Sequence, residues 1–392
     1  MILPVETVNY IIEFLLMQPN RNFVSYSEVP STAPITITPA KSIHEPVLPA
    51  NIRTTTHRGG IIIHDDIIIS TFFLLSRYDE YRQPLARDCH SRFCSACSFL
   101  GSNGQLQTPL IDIYTEFIYR LLSQPIPSRP RHVYLTHDID TLSHYHRLRG
   151  FCGGILRALL RQRNSDSLST IFRSAMNIER DPAYTFPIIE TMDSLLPAAE
   201  VIYFVKPNRA KNRYDRPRYS FSSLPALKGV IGLHSLYETY DNPSLLSPSY
   251  ISDIPHHFHR SHYLRILPPT EMHRYVEAGI TDDFTLCYAD TLGFRLGTTR
   301  PSLAINPATA TVLPLTMHPL TVMDTSLVDS RYLNLDREQA LNRCLTIFDI
   351  VNRHQGDITL LFHNSNFANP LIPSLYSELL NGFLSFPSTS SG

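Results

Sequence analysis

From residue 129 onward, short apolar runs alternate with stretches of helical periodicity. The apolar runs are VYLTHD (133–138), AEVIYFVK (199–206), GVIGLHS (229–235), FTLCYAD (284–290) and ITLLFHN (358–364). Between them lie FCGGILRALLRQ (151–162), MHRYVEAGI (272–280) and REQALNRCLTIFDIVNRH (337–354), which read as helices. Alternation on this scale predicts βαβ units and a parallel sheet or barrel. Ligands in such folds gather at the carboxyl ends of strands. There is no internal repeat, and the tail SFPSTSSG (385–392) is expected to fray.

The N-terminal third has its own pattern. Val8, Ile11, Ile12, Leu15 and Leu16 space an amphipathic helix. IIIHDDIIIS (61–70) predicts two short strands, or a strand and the start of a helix. TPLIDIYTEFIYRLL (108–122) predicts a helix packed on that segment. LLSQPIPSRPR (121–131) then carries three prolines in six positions, which disfavours helix and strand interior alike. The expected division is a small α/β accessory domain over 1–128 and a main domain over 129–392.

Composition adds bounds. With 392 residues, 43% hydrophobic and 18% charged, the chain can bury sizeable cores without a staple. A formal net charge of −1 supplies no global field for nucleic acid or an anionic membrane, so partners must be read from sites. Cys89, Cys94, Cys97, Cys152, Cys287 and Cys344 fit free thiols of a reducing compartment, and Cys94-Ser-Ala-Cys97 is a lone CxxC. The N-terminus lacks a basic region and a cleavage site, and His64-Asp65-Asp66 interrupts the most apolar stretch. No transmembrane segment and a cytoplasmic location are therefore expected.

Four polar clusters end the apolar runs. Thr136-His137-Asp138-Ile139-Asp140 ends the first; His234 ends another, and its turn runs on to Glu238. Arg295 sits in GFRLG (293–297), and His363 follows residues 358–362. Imidazoles and carboxylates in such places suggest hydrolysis at a divalent ion, zinc for preference, with one position open. Asp140, His234 and Glu238 can supply three ligands. Asp138 is then left as a base, with Arg295 holding it ionised and His363 protonating the leaving group. Plainer readings stand beside each. Asp138 or Asp140 can cap a helix, His234 or His363 can be packed core histidines, and Glu238 can open the next helix. Arg295 can lie on the surface. Asp324, in MDTSL, either orients a site residue or caps a turn. His64-Asp65-Asp66 is a further metal-like triplet.

Together these segments resemble the polysaccharide deacetylase (NodB-homology) family of carbohydrate esterases. They are most similar to the divergent bacterial branch whose first motif reads THDxD, over roughly residues 130–370. THDID resembles the first motif, a catalytic base with a metal-binding aspartate, and IGLHSLYE the second, which supplies histidine ligands. GFRLGTTRP resembles the third, whose arginine contacts the base, and FHNSN the last, whose histidine is the general acid. The N-terminal segment, with FFLLSRYDEYR, resembles the accessory domain that often precedes this branch. The family's common pattern has adjacent aspartates and a second motif His-Ser/Thr-x-x-His. Here Ile139 intervenes, Glu238 holds the fifth position, and no proline–aromatic pair follows Arg295. Should Glu238 turn away, His262 in RSHYLR is the first substitute donor. The resemblance implies a distorted (β/α) barrel of about seven strands. It also implies removal of an acetyl group from an N-acetylated sugar or polysaccharide precursor.

Tyr237, His262 and Arg265 are the candidate substrate contacts. KPNRAKNRYDRPR (206–218) carries six basic residues and one acid. It is either a solvated loop or a patch for an anionic glycan or a phosphate-linked carrier. Tyr203, Tyr214, Tyr219 and Tyr237 are near enough in sequence to stack on sugars. Two other functions compete: a glycan-binding or scaffolding protein on the same fold, and an amidase acting on a non-sugar C–N bond.

Overall fold

The computed structural model describes residues 2–19, 21–160, 166–208, 212–216 and 219–384. The tail SFPSTSSG and, within the basic run, residues 209–211 and 217–218 lie outside the described residues. The strands are β1 (Val24–Tyr26), β2 (Ile35–Ile37), β3 (Thr54–His57), β4 (Gly60–Ile63), β5 (Val133–Ile139), β6 (Glu200–Val205) and β7 (Val230–Ser235). There follow β8 (Phe258–Ser261), β9 (Asp282–Asp283), β10 (Ser302–Ile305), β11 (Val312–Met317), β12 (Val322–Met323) and β13 (Ile358–Leu361). They form a four-stranded and a nine-stranded sheet, with helices between many of them. The fold is α/β as expected. Its larger sheet is a curled, open one of nine strands, not a closed barrel of about seven.

The chain forms two compact units that interleave in sequence. One comprises Met1–His132, Tyr263–Thr321 and Ile347–Thr359; the other comprises Val133–His262, Val322–Thr346 and Leu360–Gly392. This differs from two consecutive domains, because the first unit also recruits two later segments.

In the first unit, the small sheet runs β1-β2-β4-β3. β3 and β4 form a hairpin that pairs His57 with Gly60. Its two central residues, Arg58 and Gly59, have φ of 48° and 86°. Positive φ at both centres gives the turn the twist that antiparallel strands need. After β4 the run IIIHDDIIIS becomes a helix, Ile67–Leu75. Asp66 caps it, accepting from the N–H of Ile68 and Ile69 at 3.0 and 2.9 Å. Asp65 pairs instead with Arg53, and His64 with the Thr55 hydroxyl. The metal-like triplet is thus a cap and two strand contacts.

The second unit contains the parallel strands in the order β8-β7-β6-β5-β13-β12. Leu135, Ile139, Ile202, Phe204, Val205, Leu233, Leu360 and Leu361 are fully buried, the near-continuous apolar pattern of strands covered on both faces. Parallel pairing sends every strand's carboxyl end to one edge. Asp140, Lys206, His234, His262, Asp324 and His363 all fall at or just past those ends.

Candidate metal centre

A strand's side chains alternate between faces, so residues two apart share one. Thr136, Asp138 and Asp140 therefore project from one face of β5, and His137 and Ile139 from the other. The Ile139 that separates the two aspartates is the spacing that lets both carboxylates face one way. His137 belongs to the opposite layer: its Nε2 lies 3.2 Å from Asp193, which also accepts from Tyr376 Oη at 2.6 Å. Tyr203 packs against His137 there, fully buried.

β7 and β8 pair in register, His234 opposite Arg260. His234 Nδ1 lies 3.0 Å from the Arg260 carbonyl. A carbonyl only accepts, so Nδ1 carries the proton and Nε2 presents its lone pair. Two residues after Arg260, on the same face, His262 sets its Nδ1 2.7 Å from Asp215 Oδ1. Asp215 is itself fixed by the Tyr237 N–H at 2.8 Å. A carboxylate behind an imidazole is the usual brace of a metal-ligating histidine.

The two Nε2 atoms converge with Asp140. One ligand atom from each of Asp140, His234 and His262 lies within 4.8 Å of the others. His262 Nε2 is 3.3 Å, and His234 Nε2 3.7 Å, from Asp140 Oδ1. His234 Nε2 is buried without a hydrogen-bond partner, while Asp140 Oδ1 faces it, His262 Nε2 and the Lys206 ammonium. Such an unpartnered atom is costly unless something binds it. Two imidazoles and a carboxylate are a donor set that zinc and similar divalent ions accept. The residues present fit a metal ion.

Charge supports the arrangement. Burial acts to raise the Asp140 carboxyl, but Lys206, 3.3 Å away, and His262 hold it well below the usual carboxylate range. Burial pushes His234 down to about 4, so its imidazole is neutral and ready to donate. Burial also acts to lower His262, yet Asp140 and Asp215 raise it.

Asp138 stands beside the triad, its Oδ2 3.4 Å from His234 Nε2. Burial raises its carboxyl, but His234, Arg260 and His363 together hold it below the usual range. Arg260 is fully buried. Its Nη1 donates to Asp138 Oδ1 at 3.0 Å and to Thr136 Oγ1 at 2.7 Å, and its guanidinium lies 4.4 Å over the Phe204 ring. Gly232 makes room for that ring: a Cβ at 232 would stand 2.7 Å from Phe204 Cε1. His363 completes the site, with Nε2 4.0 Å from Asp138 Oδ2 and Nδ1 2.7 Å from Asp324 Oδ1. Burial works to lower His363, but Asp324, Asp140 and Asp138 raise it to about 10, so it is protonated at neutral pH. Asp324 also accepts from the His363 N–H and from Asn366, so it orients a site residue.

The fold brings Asp138, Asp140, His234 and His363 together and adds His262 as the third donor. Glu238 stands apart. It lies half-buried in the short turn Tyr237–Tyr240, where its carbonyl accepts from Asp241 and Asn242. Tyr237 is buried, stacked on Tyr214 at 4.3 Å. Arg295 and Arg265 belong to the first unit. Arg295 donates to Glu80 at 2.8 Å, while Arg265 Nε donates to the His90 carbonyl at 2.7 Å. The segment GFRLGTTRP serves buried acids of the N-terminal region. Glu80 takes Arg295, and Asp112 takes Thr298, Thr299 and Arg300. The guanidinium on the candidate base is that of Arg260.

Sequence reasoning passed over Arg260 and took Lys206 and Asp215 only as members of the basic run 206–218. The FHRSH spacing held a signal for the first, since it puts Arg260 and His262 on one strand face. A cleft of about 110 Å³ is lined by Thr141 and Leu142, which follow Asp140 in the chain, and by Ser143, His146, Arg147, Ile178, Tyr219 and Ser223. All six free cysteines lie away from the triad's donor set. Among the described residues no helix is long and apolar enough to cross a membrane. Residues 9–127 match DUF7033, a family of unknown function. No curated protein and no solved structure matches the chain.

Proposed function

We propose that this chain is a metal-dependent hydrolase that removes the acetyl group from an N-acetylated sugar, with zinc as the ion. One observation carries the reading. Two imidazoles, each fixed through Nδ1, aim Nε2 at one buried carboxylate oxygen, beside a second ionised carboxylate. An ion bound there would supply Lewis acidity to a carbonyl oxygen and to water.

The protein's own groups account for the proton traffic. Asp138, kept ionised by Arg260, accepts a proton from the attacking water. His363, kept protonated by Asp324, donates one to the departing nitrogen as the C–N bond breaks and the C–O bond forms. The cleft that begins at Thr141, with its hydroxyls and imidazole, is where sugar hydroxyls would be received. Metal-loaded protein should release acetate from N-acetylated oligosaccharides, and Asp138→Asn should bind metal without turnover. Absence of acetate across a broad panel, with metal bound, refutes the reading.

Lys206 favours a second one. Its ammonium, 96% buried as a residue, already sits 3.3 Å from Asp140 and neutralises it. A protein relying on that lysine for charge balance would bind glycans without turnover and carry little metal. Metal analysis of the wild type beside Lys206→Met separates the two. Stoichiometric metal in both supports the hydrolase; metal only in the variant supports the binding protein.

A further inference from the structure

We infer that the two helices Leu148–Leu159 and Leu168–Met176 dock this protein on an anionic lipid surface. The inference is independent of the metal centre. Soluble proteins seldom leave large apolar side chains contiguous and exposed. Here the helix Leu148–Leu159 sets its one buried residue, Gly154, against Ile171 of the neighbouring helix and turns an apolar stripe outward. That outward stripe, Leu148, Leu156 and Leu159, has spacings of eight and three and so follows one helix face. Leu148 is 78% exposed and Leu159 65%. The partner helix, Leu168–Met176, buries Ile171 and Ser174 and exposes Phe172 and, at 87%, Met176. Phe151 and Phe172 meet edge to face at 5.2 Å, so the two helices present neighbouring apolar surfaces.

The charge around the patch selects the occupant. Arg147, Arg149, Arg157 and Arg173 are all exposed, and Asp166 is the one acid among the described residues of 144–176. Arg147, Arg149 and Arg173 make no ion pair among the described residues. This patch is strongly basic in a chain whose net charge is −1. A second copy would pair the patch with itself, as a two-fold interface requires, and set arginines against arginines. An anionic bilayer accepts both features. Leucine, phenylalanine and methionine enter the acyl boundary, and the arginines meet lipid phosphates.

The test is flotation of the full-length chain with vesicles of phosphatidylcholine containing phosphatidylglycerol, and with phosphatidylcholine alone. Binding is expected to the anionic vesicles only, and to weaken with added salt. Leu156→Glu with Leu159→Glu should abolish it, and Arg149→Gln and Arg173→Gln should each weaken it roughly fivefold. These side chains are exposed, so the melting temperature should not change. Failure of the wild type to float with anionic vesicles overturns the inference. So does unchanged binding by the double glutamate variant. So does a dimer in sedimentation that the same variant dissociates.

Discussion

Arg260→Met tests which guanidinium serves the candidate base. The substitution keeps most of the side chain's bulk and its contact with Phe204 but removes the charge. The wild-type guanidinium is fully buried, 3.0 Å from Asp138 and 2.7 Å from Thr136. Removing one partner of such a pair strands the other charge, at a cost of about 3–5 kcal/mol. For a unit of this size that corresponds to a fall in melting temperature of roughly 10 °C. The chain has no tryptophan, so circular dichroism is the suitable probe. Adding Asp138→Asn should recover much of the loss, because the stranded charge is then gone. The backbone carbonyl that fixes His234 is untouched, so metal uptake should persist while turnover falls. Arg295→Met is the counterpart. Glu80 keeps Arg77 and Arg87, so the cost should be smaller, about 1–2 kcal/mol, and turnover should not change. A shift below about 2 °C for Arg260→Met, or no relief from Asp138→Asn, would refute the reasoning.

Other outcomes follow from the same contacts. His262→Ala should abolish stoichiometric metal, Asp215→Asn should weaken it about 10–100-fold, and Glu238→Ala should leave it unchanged, by metal analysis after dialysis. Acid stability should depend on Glu80. Burial acts to raise its carboxyl, yet Arg77, Arg295 and Arg87 hold it far below the usual range. The folded value is thus depressed, so the stabilisation is complete above the unfolded value of about 4.3 and is lost as pH falls. Melting temperature should drop on acidification from about pH 5, and Glu80→Gln, already weaker at neutral pH, should flatten that dependence. Thiol labelling of the native protein should modify the exposed Cys89 and Cys152. It should spare Cys287 and Cys344, the latter pushed up to about 12 by burial.

The sequence disclosed elements more readily than neighbours. Runs such as VYLTHD and ITLLFHN became strands because buried β-structure needs unbroken apolar stretches, and their polar ends became the site. Asp138, Asp140, His234 and His363 were legible for that reason. His262 was legible only as the substitute for Glu238, because its place ahead of Glu238 depends on β8 lying beside β7. Spacing along the chain does not state that adjacency. Glu238 is nearer to His234 in sequence, but a strand that runs into a turn carries such a residue off the edge. The sheet's nine strands were equally hidden, since β9 and β12 are two residues each and leave almost no periodicity.

GFRLGTTRP shows a further limit, and its cause is electrostatic. Arginines in a loop after an apolar run are attractive partners for any buried carboxylate in the fold. Two such needs existed. Glu80 and Asp112 are buried acids in the N-terminal region, and each requires cations and donors to remain ionised. They draw Arg295 and Arg300. Asp138 has the same need, and a strand supplies its answer: β8, running beside β7, carries Arg260 onto the face that Asp138 shares with His234. The choice between two arginines is therefore made by sheet order and by competing buried acids, neither of which a linear motif records. A residue that looks catalytic by its surroundings in sequence has first to be released from every buried charge that can claim it.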